Sequence, residues 1–75
     1  MKTYIHVVAE FTADGRVLPT EILWDDGRRF EIDKISEIRL AASLKAGGCG
    51  IRYKCRIGNH ERYLFLDDEN RWFVE

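Results

Sequence analysis

The segment Ile51-Arg52-Tyr53-Lys54-Cys55-Arg56-Ile57 sets apolar and basic side chains strictly in turn. An extended chain, whose successive side chains point to opposite faces, converts that order into one apolar and one wholly basic surface, whereas a helix would wind the cations around all sides. The alternation recurs. From Tyr4 to Phe11, Ile5, Val7, Ala9 and Phe11 take one phase and Tyr4, His6, Val8 and Glu10 the other. Phe30 and Ile32 alternate with Arg29 and Glu31 between Arg28 and Asp33. Further strands are predicted through Glu21 to Trp24, Arg62 to Leu66 and Arg71 to Glu75.

Turn chemistry separates these runs. Thr12-Ala13-Asp14-Gly15-Arg16 reverses the chain, as do Gly58-Asn59-His60-Glu61 and Asp67-Asp68-Glu69-Asn70. Asp26-Gly27 is the strongest local signal and predicts a two-residue type I′ hairpin, with positive φ at both central positions and Trp24 close to Phe30 across it. Pro19 has no N–H for a ladder and belongs at the beginning or edge of its strand. The stretch Lys34 to Lys45 reads two ways. Ile35, Ile38 and Ala42 fit one helical face, but Ile38, Leu40, Ala42 and Leu44 alternate with Arg39, Ala41, Ser43 and Lys45. The strand reading is taken, because Ala46-Gly47-Gly48-Cys49-Gly50 then joins it to the Ile51 strand as a hairpin, with a short helix around Ile35 to Leu44 as the alternative.

Short strands joined by tight turns predict an all-β fold: a small antiparallel six-stranded meander, seven-stranded if the chain bends near Ile35, curled into a partly open SH3-like barrel. Curling hides the strand edges that a flat sheet exposes. Trp24, Phe30, Ile32, Ile51, Tyr53 and Trp72 occupy the apolar phases and form the predicted core. With 75 residues the chain is read as one domain, residues 1–75. A domain of that size buries about 60% of its unfolded surface and rarely gains more than ~3–5 kcal/mol from its core. Little space remains for a deep active-site cavity, so the sequence predicts a binding or interaction module with no catalytic residues.

The N-terminus carries no apolar segment of signal-peptide type and no run approaches the ~18 residues of a membrane span, which predicts the cytoplasm. In that reducing compartment Cys49 and Cys55 are expected to be free thiols, Cys55 as a small core residue and Cys49 in a loop. They do not pair with His6 or His60 in any familiar ligand spacing, so no metal and no cofactor are expected. Gly47-Gly48-Cys49-Gly50 lacks the Lys-Ser/Thr ending of a phosphate-binding loop. Asp25, Asp26, Asp67, Asp68 and Glu69 lie in turns, where carboxylates bond the local backbone.

The runs Ile22-Leu23-Trp24-Asp25-Asp26-Gly27-Arg28-Arg29-Phe30-Glu31-Ile32, Ala41-Ala42-Ser43-Leu44-Lys45-Ala46-Gly47-Gly48-Cys49-Gly50-Ile51-Arg52-Tyr53-Lys54-Cys55-Arg56-Ile57 and Arg71-Trp72-Phe73-Val74-Glu75 resemble those of a group of short bacterial proteins of undefined function. The resemblance implies a bacterial single-domain protein and assigns no residue a role.

Charge distribution carries the functional content. The net charge is −3 over residues 1–37, +5 over 38–62 and −3 over 63–75. If Arg39 and Lys45 lie on the strand paired with Arg52, Lys54 and Arg56, five cations share one face of a two-stranded ribbon. That face is the candidate partner-binding surface, Arg39, Lys45, Arg52, Lys54 and Arg56. It suits single-stranded nucleic acid, with Tyr4 or Tyr63 as stacking platforms, or an acidic protein. The alternatives are a solvated strand face paired with Glu31 or Glu61 on neighbouring strands, and self-association through strands left exposed by incomplete closure. Overall charge is −1, which weighs against nucleic acid.

Overall fold

The computed structural model describes the backbone of residues 2–43 and 48–75 and the side chains outside 41–49. Eight strands result, and among the described residues no helix: β1 (Thr3–Tyr4), β2 (His6–Phe11), β3 (Val17–Leu23), β4 (Arg29–Glu31), β5 (Lys34–Ser43), β6 (Gly48–Ile57), β7 (His60–Asp67) and β8 (Trp72–Val74). All pairs are antiparallel. One sheet has the order β1-β8-β7-β6-β5 and the other β2-β3-β4. No helix of the described residues is long and apolar enough to cross a membrane.

The six-stranded barrel is corrected on count and on closure. Two stretches change sheet. At Ile5 the chain leaves the large sheet for the small one, with the Ile5 N–H donating to the Trp72 carbonyl at 3.1 Å. At Ile32 and Asp33 it returns: the Ile32 N–H donates to Thr20 in the small sheet (3.0 Å) and the Asp33 N–H to Arg56 in the large one (2.8 Å). The ladders fall into two sheets whose edge strands do not pair with each other, so no barrel closes. The strand reading of Lys34 to Lys45 holds for β5 through Ser43.

The two sheets share a core. Ile22 comes from β3, Tyr53 and Cys55 from β6, Leu64 and Leu66 from β7, and Ile5 from the sheet crossing. Tyr53 ties the layers together: its ring packs tilted against Trp72 at 5.4 Å and its hydroxyl donates to the Val17 carbonyl of β3. Of the predicted core set only Tyr53 is fully buried; Trp24, Phe30, Ile32, Ile51 and Trp72 are half-buried against it. Three short strands cover only part of the inner face of five. Leu40 of β5 lies beyond that cover at 88% exposure, and Phe11 at the end of β2 overhangs the shared core at 81%.

Pro19 lies within β3 at a bulge: Val8 pairs with Glu21 and Ala9 with Pro19, leaving Thr20 as the extra residue. A bulge is where a sheet tolerates a missing donor. The Thr20 hydroxyl donates to the Val8 carbonyl there at 3.0 Å.

Three hairpins share one loop geometry. In Thr12–Arg16, Trp24–Arg28 and Asp67–Arg71 the first N–H donates to the fifth carbonyl, and the fourth N–H to the first carbonyl. The fourth residue, Gly15, Gly27 or Asn70, takes a positive φ of 87°, 89° or 61°. This is a type I turn closed by a left-handed residue, a three-residue loop, which corrects the two-residue type I′ prediction at Asp26-Gly27. Within this hairpin Gly27 takes left-handed φ and Asp26 does not, because Trp24 and Arg28 are the residues whose backbones meet. An added Cβ at Gly27 meets nothing within 4 Å, so its cost is backbone alone. Gly27→Val is expected to destabilise the domain by about 1–2 kcal/mol and Gly27→Asn by less, measured by chemical denaturation. Equal stability of the Val variant and the parent would contradict this geometry.

Candidate functional site

The outer face of the five-stranded sheet is built by register. Tyr4 lies opposite Phe73, Phe73 opposite Phe65, Phe65 opposite Arg52 and Arg52 opposite Arg39, one row across all five strands. A second row sets Tyr63, Lys54 and Glu37 side by side, and a third Glu61, Arg56 and Lys34. The inward phase of β6 fills the core with Tyr53 and Cys55, so Arg52, Lys54 and Arg56 are directed outward together. Ser36 is the extra residue of a bulge in β5, which keeps Lys34 and Glu37 on the same face although three positions apart.

Aromatic rings fill one half of this face. Phe65 and Phe73 stack with ring planes 8° apart and centroids at 5.1 Å, and Tyr4 meets Phe73 edge-on at 5.9 Å. Lys2 sits 4.3 Å above Phe73, which explains how an outward ring is only 2% exposed. Tyr4 and Tyr63 keep 45% and 46% of their surface in water. The Arg52 guanidinium lies over Tyr63 at 4.8 Å and that of Arg71 over Tyr4 at 4.9 Å, each an aromatic–cation pair at the surface.

Cations fill the other half. Arg39 and Arg52 face each other directly, an arrangement that repels unless bridged, and the Glu37 carboxylate bridges them at 3.1 and 3.4 Å. Lys54 pairs with Glu61 at 3.2 Å, and that hydrogen bond and charge hold its ammonium above the usual lysine range. Lys34 and Arg56 also stand opposite each other, and among the described residues neither makes an ion pair. The structure thus brings together Arg39, Arg52, Lys54 and Arg56 as the sequence predicted; Lys45 lies outside the described residues. Glu61 is a predicted acidic partner. Glu31, the other predicted partner, does not take part, since it belongs to the other sheet, and Glu37 fills that role. Sequence reading missed Lys34, hidden by the bulge, and the Phe65–Phe73 stack, which depends on the β7–β8 register as well as on strand phase.

Between the sheets lies a cavity of about 690 Å³ lined by Trp24, Phe30, Ile57 and Leu64, with exposed Arg28, His60 and Arg62 among its walls. Cys55 closes its floor and is fully buried. Burial pushes the Cys55 thiol up to about 11, so no nucleophilic thiolate forms there near neutrality. Cys49, expected in a loop, belongs by its backbone to β6 opposite Ala42. Gly50 beside it is required by close approach: a Cβ would come within 2.6 Å of the Leu66 carbonyl oxygen. Among the described residues no three His, Cys, Asp or Glu side chains gather as a metal would need.

The Cys55 shift has a sign. The folded state favours the neutral thiol, a contribution fully present below the ordinary value of 9.0 and lost as pH rises through about 11. In a Cys49→Ser background the remaining thiol is expected to resist a disulfide reagent at pH 8 until the protein is unfolded, and stability to fall across that alkaline window. Fast stoichiometric labelling of the native protein would contradict it.

The fold and this face define an all-β antiparallel protein with a basic and aromatic outer sheet surface. Comparison with protein-family models, curated proteins and solved structures gives no match.

Proposed function

We propose that the protein is a small binding module without catalytic chemistry of its own, and that its outer sheet face takes single-stranded nucleic acid. The observation that carries the reading is the register row Tyr4, Phe73, Phe65, Arg52, Arg39, which places rings and cations on one surface. Bases stack on exposed rings without regard to sequence, and phosphates track a basic groove. Tyr4 and Tyr63 supply such rings, and the paired part of the face carries five cations, Lys34, Arg39, Arg52, Lys54 and Arg56, against two carboxylates, Glu37 and Glu61. The unbridged Lys34 and Arg56 favour an anion between them, since like charges directly opposite destabilise a sheet. The overall charge of −1 is no obstacle in this arrangement, because the acidic groups concentrate in the loops and the small sheet.

Titrating binding of mixed-sequence single-stranded oligonucleotides against salt tests the reading. Affinity is expected at ~50 mM salt and should fall steeply as salt rises, by about 0.7 log units per contacted phosphate for each log unit of salt. Absence of binding at low salt would exclude nucleic acid and leave an acidic protein partner as the better account.

A further inference from the structure

β5 is the terminal strand of the large sheet and spans ten residues, so its outer edge offers a long row of backbone donors and acceptors. On its inward phase Ile38 is 40% and Leu40 88% exposed, although their register partners Tyr53 and Ile51 belong to or pack on the core. The other long edge, β2, differs: of its inward-phase residues Val7 and Ala9 are half-buried and only Phe11, at its end, is exposed.

We infer that the partner of this edge is a second copy of the chain, paired antiparallel through β5 about a two-fold axis at Ile38. The strand is self-complementary about that residue. Ile38 then lies opposite the partner's Ile38, Glu37 opposite the partner's Arg39, and Leu40 diagonal to the partner's Ile38, beside the bulge at the partner's Ser36. The axis stands perpendicular to the sheet, so each side chain keeps its face and only registers that pair a residue with itself are allowed. An axis at Arg39 would set two guanidinium groups opposite each other, and an axis at Leu40 would leave Glu37 facing a serine. Charge selects the Ile38 register. Pairing joins the two large sheets into one of ten strands, removes the exposed edge, and covers the apolar side chains that the small sheet leaves in water. It also makes the two outer faces continuous, a consequence independent of what those faces bind.

Sedimentation equilibrium tests the inference. The parent is expected to show a reversible monomer–dimer equilibrium. Leu40→Lys should weaken the dimer at least about a hundredfold, because each dimer loses two buried leucines, while the monomer's melting is unchanged since Leu40 is 88% exposed. Glu37→Arg should weaken it as well, and the swap Glu37→Arg with Arg39→Glu should restore it. A parent that stays monomeric at all concentrations, a dimer indifferent to Leu40→Lys, or a swap that fails to restore association would each overturn the proposal.

Discussion

Tyr53→Ala is expected to leave the domain largely unfolded at room temperature. The side chain is 1% exposed, lies against Trp72, and bonds through its hydroxyl to the Val17 carbonyl of the opposite sheet. Truncating a buried aromatic ring costs about 3–5 kcal/mol, and the core of a domain this small rarely supplies more than that in total. Tyr53→Phe separates the two contributions. It keeps the packing and leaves the Val17 carbonyl without this donor, so a loss of about 1–2 kcal/mol is expected. A cooperative melt of the Ala variant near that of the parent would show that the sheets are held together elsewhere.

The second large effect concerns binding. Replacing Arg52, Lys54 and Arg56 together by Gln removes three cations from β6 on the outer face and keeps most of each stem. The log–log salt slope of oligonucleotide binding is expected to flatten by about two units, since each single-strand phosphate contact contributes about 0.7. Tyr63→Ala should behave differently: stacking is worth about 1–3 kcal/mol per base, so affinity drops while the slope stays. Circular dichroism should report an unchanged fold in both. An unchanged slope in the triple variant would move the binding surface away from this face.

Much of the fold was legible because local chemistry and tertiary need agree in β6. Ile51, Tyr53, Cys55 and Ile57 fall on the buried or half-buried side and Arg52, Lys54 and Arg56 on the other, as their alternation requires. The loops were legible in part. Asp14-Gly15-Arg16, Asp26-Gly27-Arg28 and Glu69-Asn70-Arg71 repeat one pattern, an acid, a left-handed residue and an arginine that pairs back to the acid at 3.4, 2.6 and 3.3 Å. Comparing the three in the sequence would have indicated three-residue loops in place of the type I′ turn, because Glu69-Asn70 is a poor two-residue hairpin. Trp24 shows the limit from the other side. Its phase is inward, yet it lines the cavity between the sheets and stays half-exposed, since phase tells which way a side chain points and not whether anything covers it.

The sequence by itself determined the all-β class, the phases of the main strands and the gathering of cations on one face of β6, because each depends only on spacing along the chain. Tertiary structure decided the rest. The sheet crossings at Ile5 and Ile32–Asp33 depend on which distant carbonyls, Trp72, Thr20 and Arg56, accept the backbone donors there. The aromatic half of the outer face exists only because β8 is drawn between β1 and β7, which brings Tyr4, Phe73 and Phe65 into register from the two ends of the chain. Strand order is a long-range choice made by burial, and no local alternation of residues encodes it.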